Sequence, residues 1–253
     1  MTSSQLTADV RAILLDIEGT TTPIAFVHEV LFAYARSNVR NYLLKHRTSA
    51  EVEADIALLR DEYTGDVRQN VPPPALVAAP RDAEIDSLVA YVNWLIDRDR
   101  KSRALKSLQG KIWKQGYVDG TLKAELYADV APALERWQRA GLKINIFSSG
   151  SVLAQKLLFA HTDAGDVTGF ISNYFDTRVG SKTDIQSYRQ IAAQLSLTTR
   201  EVLFISDVVA ELAAAREAGM QTLLCMRPGN HPQSLADDYK IIQSFDEILV
   251  SED

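Results

Sequence analysis

From about Leu126 onward the chain alternates short apolar runs with helical segments, and that alternation constrains its fold more than any other feature. Asp129 is placed to cap a helix that Gly141 ends. Ile144-Asn145-Ile146-Phe147 then reads as a strand and Val152 to Ala160 as a helix. A further helix, Thr183 to Leu195, follows Lys182. Val202 to Ile205 is a strand, Val208 to Ala218 a helix closed by Gly219, and Thr222 to Met226 another strand. One more apolar strand, Ala12 to Leu15, stands far upstream. Strands that alternate with helices build a parallel sheet covered on both faces, so the expected class is α/β, doubly wound.

Between the first strand and the rest lies a region, about Ile24 to Tyr117, that reads as helical throughout. Val27, Val30, Leu31, Tyr34 and Ala35 recur at helical spacing and predict one apolar stripe. Val52, Ile56 and Leu59 repeat the pattern, as do Ile85, Leu88, Val89, Val92 and Ile96. Only the stretch Val71 to Pro80, with four prolines, must be a loop. The expected organisation is a core of residues 1–22 and 126–253, with residues 23–125 inserted as an all-helical cap domain. An independent amino-terminal helical domain would leave the buried-strand pattern at Ala12 to Leu15 unexplained.

Composition narrows the function classes. A chain of 253 residues with 46% hydrophobic and 24% charged content has enough apolar surface for a sizeable core. Its net charge of −6 argues against nucleic acid as a partner, because nucleic acid is bound through clustered Lys and Arg. A small phosphorylated substrate is compatible with it, since a divalent cation and one lysine can reverse the field inside a cleft. No apolar run approaches the roughly 20 residues that span a bilayer, and Met1 to Asp9 does not read as a signal peptide. No membrane association is expected. The single cysteine, Cys225, sits in an apolar run and reads as buried and structural, which suits a reducing, cytoplasmic setting. His28, His46, His161 and His231 are scattered without metal-ligand spacing.

In open parallel sheets the ligand crevice lies at the carboxyl ends of the strands. Three strands here end in polar residues at that point: Asp16; Ser148 and Ser149; Ser206 and Asp207. Asp16 is a candidate nucleophile, competent once a metal neutralises the phosphoryl oxygens. Mg²⁺ takes one or two carboxylates plus phosphate oxygens, and Asp16 and Asp207 supply that number. Glu18, two residues on in an extended segment, is placed to protonate a leaving oxygen and then to activate water. Gly19 and Thr20 suit a tight turn whose amides face a phosphate. Ser148, Ser149 and Gly150 precede a helix amino terminus, a ready phosphate site, although Ser149 or Ser151 could simply cap that helix. Lys182 stands before a helix, where the macrodipole does not favour a cation but phosphate charge would. Glu211, four residues after Asp207, is expected on the same face, in the metal shell or orienting Asp207.

Asp16-Ile17-Glu18-Gly19-Thr20 resembles the first motif of the haloacid-dehalogenase-like phosphatases, with Ser148, Lys182 and Asp207 matching the later motifs in order. Glu18 departs from the aspartate usual in that motif. It points to the enolase-phosphatase branch of methionine salvage (acireductone synthases), which Asp16 to Val27, Leu108 to Tyr117, Phe147 to Phe159 and Arg227-Pro228-Gly229-Asn230 also resemble. The resemblance runs from about residue 12 to about 230. It implies a flavodoxin-like core with a helical cap and a monomer. It also implies two reactions in one site. The substrate, 5-(methylthio)-2,3-dioxopentyl phosphate, is enolised, and the enol phosphate is then hydrolysed to the acireductone 1,2-dihydroxy-3-keto-5-methylthiopentene and phosphate. By position, Asp16, Glu18 and Asp207 would hold one Mg²⁺, residue 18 through its backbone carbonyl, while Ser148, Ser149 and Lys182 would hold the substrate phosphate. Asp16 and Glu18 would be the catalytic pair. The alternative is a related phosphatase acting on another small phosphate ester.

Overall fold

Ala12-Ile13-Leu14-Leu15 is wholly buried, which is what a strand covered on both faces requires, and it forms the centre of a six-stranded parallel sheet. The structure is a computed structural model that describes residues 4–5, 9–69, 72–100, 102–234 and 238–249. Val71, which opens the proline-rich loop, and most of Met1 to Asp9 lie outside these residues. The chain divides into two compact units, Met1–Val27 with Lys123–Asp253, and His28–Leu122.

In the first unit the strands are β1 (Ser4–Gln5), β2 (Ala12–Leu15), β3 (Lys143–Phe147), β4 (Ile171–Phe175), β5 (Val202–Ser206), β6 (Gln221–Cys225), β7 (Ile241–Ile242) and β8 (Ile248–Leu249). The large sheet runs β4-β3-β2-β5-β6-β7 and every pairing in it is parallel, so the doubly wound expectation is borne out. Numbered in chain order within this sheet, the strands run 3-2-1-4-5-6, a six-stranded doubly wound order. β1 and β8 pair separately. Strand order reverses at β2, the topological switch point, where such sheets open a crevice.

The covering helices of this unit are α5 (Val130–Arg139), α6 (Val152–Ala160), α7 (Ile185–Gln194) and α8 (Val209–Glu217). Tyr188 and Ile191 of α7 and Leu212 and Ala215 of α8 pack with Leu14, Phe147 and Phe204 in one buried cluster. Each large apolar side chain buried there contributes roughly 1.5–3 kcal/mol, so the strand ends are held by a stiff layer. The strand β4 escapes sequence reading because it is an edge strand with Ser172 and Asn173 exposed at its middle. Asp129 does stand at the N-cap position of α5, but its side chain makes no cap hydrogen bond and turns instead to Arg227, Ser244 and Phe245.

A π-helical stretch, Phe26–Phe32, leads into the helices of the second unit, α1 (Ala33–His46), α2 (Ala50–Asp66), α3 (Arg81–Asp97) and α4 (Arg103–Val118). Val39, Leu43, Ile56, Leu59, Leu88 and Leu108 close its own core. The wider π-helical turn breaks the expected α-helical stripe, and Val30 is left exposed while Leu31 and Ala35 are buried. Trp113 is buried with its indole N–H donated to the Leu31 carbonyl (2.8 Å), a packing use of that ring.

Candidate active site

The sheet register brings the predicted residues to one edge. Leu15 lies opposite both Ile146 and Ile205, so the residues that follow in β2, β3 and β5 leave the sheet at the same level. The Asp16 N–H still donates to the Ile205 carbonyl (3.0 Å), and the Ser148 N–H to the Phe175 carbonyl (3.2 Å). Beyond Asp16 the chain turns sharply. The amides of Thr20, Thr21 and Thr22 converge on the Ile17 carbonyl, the Gly19 amide donates to the Thr22 carbonyl, and the Thr21 hydroxyl donates to the carbonyls of Asp16 and Ile17. Gly19 is required twice over. Its φ is +73°, and a Cβ there would stand 2.3 Å from Asp207 Oδ2. Asp207 therefore leans directly on the loop that follows Asp16.

Asp16 is buried and ion-paired with Lys182 (Nζ to Oδ1, 2.5 Å), and the same ammonium reaches Glu211 Oε2 at 2.7 Å. Ser206 Oγ donates to Glu211 Oε2 (2.9 Å) and accepts the Val208 amide (3.1 Å). Glu211 thus orients Lys182 rather than sharing a helix face with Asp207, because α8 starts only at Val209. Lys182 itself is buried, and the Tyr188 hydroxyl donates to its carbonyl (2.6 Å) from inside the core. Burial works to lower the Lys182 pKa, but Asp16 and Glu211 outweigh it, and the ammonium is held above its ordinary value.

The acids carry the opposite strain. Burial, with the charges of Asp16 and Glu211, pushes the Asp207 carboxyl up to about 8. Burial, with the charge of Asp16, pushes Glu211 up to about 7. Asp16 and Glu211 pair with one buried ammonium, while Asp207 has no cation of its own among the described residues. The charge these acids carry when ionised is what a divalent cation would neutralise. Among the described residues no three His, Cys, Asp or Glu side chains are grouped to cage a metal. The donor set fits Mg²⁺ nonetheless, since that ion takes one or two carboxylates and keeps several waters.

Ser148 and Ser149 are half-buried at the head of α6, where Ser151 Oγ accepts the Ala154 amide (3.3 Å). Ser151 is therefore the cap, and Ser148 Oγ accepts from the Gly150 amide (3.1 Å). Two residues unmarked by the sequence brace this turn. Buried Gln155 donates to the carbonyls of Gly150 and Phe175, both at 2.8 Å, and Asp176 accepts the Val152 amide at 3.3 Å. Burial alone would raise the Asp176 carboxyl, but hydrogen bonds from Arg178 and Val152 hold it below the usual carboxylate range. Glu18 is half-buried, and its backbone bridges Thr22.

The sequence matches a family model described as haloacid dehalogenase-like hydrolase over residues 10–219. It is 51% identical to Enolase-phosphatase E1 of Synechococcus elongatus, covering 96% of this chain and 99% of that one. It is 47% identical to Enolase-phosphatase E1 of Drosophila melanogaster over 95% of this chain and 91% of the relative. Among solved structures it resembles the UTR4 protein of Saccharomyces cerevisiae, with a TM-score of 0.73 and 33% identity over 94% of this chain and 99% of that one.

Proposed function

The chain belongs to the haloacid dehalogenase-like hydrolases and, within them, to the enolase-phosphatase family, and we propose that its Asp16 centre runs both halves of that chemistry. The enzyme converts 5-(methylthio)-2,3-dioxopentyl phosphate to the acireductone 1,2-dihydroxy-3-keto-5-methylthiopentene and phosphate, in methionine salvage. The observation that carries the assignment of residues is the buried Asp16–Lys182–Glu211 ion triad, with Asp207 beside the loop at the end of the central strand.

In the hydrolytic half, a carboxylate oxygen of Asp16 attacks phosphorus and the ester P–O bond breaks, leaving an aspartyl-phosphate. Glu18 gives its proton to the departing oxygen. It then takes a proton from the water that attacks the same phosphorus, and the bond to Asp16 breaks. In the enolising half, which comes first, Glu18 takes the proton alpha to the carbonyl, the C–H electron pair becomes the C=C bond and the carbonyl oxygen takes the negative charge. This is the proton that Glu18 then gives to the departing oxygen. Ser148 and Ser149, with Lys182, hold the phosphate. Lys182 adds the cation and aims Asp16. Asp16 and Asp207, with the backbone carbonyl of residue 18, would hold one Mg²⁺, which neutralises phosphoryl charge and polarises the substrate carbonyl. The helical unit, assigned from sequence as a cap over residues 23–125, selects the substrate. The enzyme acts as a cytoplasmic monomer.

The test is selectivity. The kcat/KM for the dioxopentyl phosphate should exceed that for simple sugar or nucleotide monophosphates by roughly 100-fold or more, a difference of about 2.7 kcal/mol. Equal values would point to a phosphatase of broader range.

A further inference from the structure

Arg227-Pro228-Gly229-Asn230 takes no part in the chemistry above, yet two of its side chains end on the nucleophile loop. The segment follows β6 and closes on itself, the Asn230 N–H donating to the Arg227 carbonyl (3.1 Å). Proline second and glycine third, with φ +88° at Gly229, is the composition and backbone of a type II turn. Such a turn brings its first and last side chains within reach of one target. Here the target is a pair of carbonyls that the nucleophile loop does not satisfy internally. Asn230 Nδ2 donates to the Gly19 carbonyl (2.8 Å) and to the Cys225 carbonyl (3.2 Å). Arg227 Nε donates to the Thr20 carbonyl (3.2 Å).

Arg227 is itself locked. Its Nη1 reaches Asp129 (2.8 Å to Oδ2) and the Gln243 carbonyl (2.9 Å), and its guanidinium lies 4.5 Å from the Tyr127 ring centroid and 4.7 Å from that of Phe245. Asp129 is fixed in turn by the Phe245 amide (2.6 Å) and Ser244 Oγ (3.1 Å). A buried planar guanidinium packed on two rings and bonded through Nε and Nη1 has little freedom left. We propose that Arg227 and Asn230 are positioning residues that clamp the Gly19 and Thr20 carbonyls, fixing the Asp16 loop against Asp207. The inference rests on Asp16 as nucleophile. A loop whose glycine must pass within contact of a neighbouring carboxylate tolerates little drift, and displacement of a reacting group by about 1 Å can cost on the order of 100-fold in rate.

The experiment is steady-state phosphate release by the full-length Mg²⁺-loaded enzyme, with far-UV circular dichroism and Tm for every variant. Asn230→Asp keeps the shape but turns the donating amide into an acceptor facing two carbonyls. Its kcat should fall roughly 10- to 100-fold while KM changes less than about threefold, the signature of lost alignment rather than lost binding. Arg227→Lys keeps the charge toward Asp129 but not the planar edge, and should lose kcat to a smaller extent. Ile191→Val, on the buried face of α7, serves as the control: a lower Tm with kcat retained. A folded Asn230→Asp with kcat within about twofold of wild type overturns the proposal. If that variant fails to fold, Asn230→Ser is judged by the same criterion, and failure of both to fold returns the turn to a structural role and overturns it too. Asp16→Asn in the same assay separates this inference from its premise. If Asp16→Asn stays active, the nucleophile assignment fails; if it is inactive while Asn230→Asp runs at full rate, the clamp alone fails.

Discussion

Asp16, Lys182 and Glu211 form one electrostatic unit, and single changes within it have separable consequences. Asp16→Asn replaces the proposed attacking carboxylate by an amide of the same size. Phosphate release should fall by roughly 10⁴-fold or more while the circular dichroism stays that of wild type. Lys182→Met leaves two buried carboxylates without their cation, and breaking a buried pair this way costs about 3–5 kcal/mol. That loss should be largest near neutral pH and shrink in acid, where Glu211 protonates; urea unfolding at pH 7.5 and pH 5 compares the two. KM should rise as well if Lys182 holds the substrate phosphate as proposed. Much of this site was legible in the chain: Asp16, Ser148 and Asp207 each stand where an apolar strand runs out. The position of Lys182 was legible too, as a cation at the unfavourable end of a helix. Its partners were not, because the Tyr188 hydroxyl on its carbonyl and the Ser206–Glu211 contact come from packing. The Arg-Pro-Gly-Asn turn was visible as a motif, but its reach to Gly19 and Thr20 spans about 200 residues of sequence and leaves no local pattern.

At the level of elements, the strands were readable in proportion to their burial. β2, β3, β5 and β6 are apolar runs bounded by polar residues, whereas β4 carries Ser172 and Asn173 and β7 has only two residues. The helices were readable from their stripes, with the exception of the π-helical turn, whose wider winding no 3.6-residue pattern can anticipate. One helix crossing makes a sharp prediction. In α4, a Cβ on Gly116 would stand 2.6 Å from Cζ of Tyr34 in α1. Alanine is the better helix former by about 1 kcal/mol. Overpacking at such a contact costs about 1–3 kcal/mol, so Gly116→Ala should be neutral to destabilising despite the gain in propensity. Thermal unfolding of the variant checks this, and a Tm above wild type would show that the tyrosine moves aside freely.

Across the whole molecule, the charge surplus at the sheet edge should make stability depend on pH and on metal together. Asp207 and Glu211 are pushed up from 3.8 to about 8 and from 4.5 to about 7, so the folded protein holds protons that the unfolded chain has already released. The stability this gives is complete below about pH 4 and is lost as pH rises through 7 to 8. Asp119, Asp166, Asp176 and Glu201 are shifted the other way, and their contribution changes only in acid, near and below the ordinary carboxylate range. Without metal, Tm should therefore fall between pH 5 and pH 8, by roughly 2–4 °C for each kcal/mol lost. Mg²⁺ should flatten that slope by favouring the ionised acids. A flat Tm without metal would contradict the burial of surplus charge. The central claim, that one site enolises and then dephosphorylates, is tested most directly by following enediol absorbance and phosphate release together. With 5-(methylthio)-2,3-dioxopentyl phosphate and Mg²⁺, the account predicts an enediol signal that precedes or accompanies phosphate and ends in one acireductone per phosphate. Phosphate released without any enediol would contradict it.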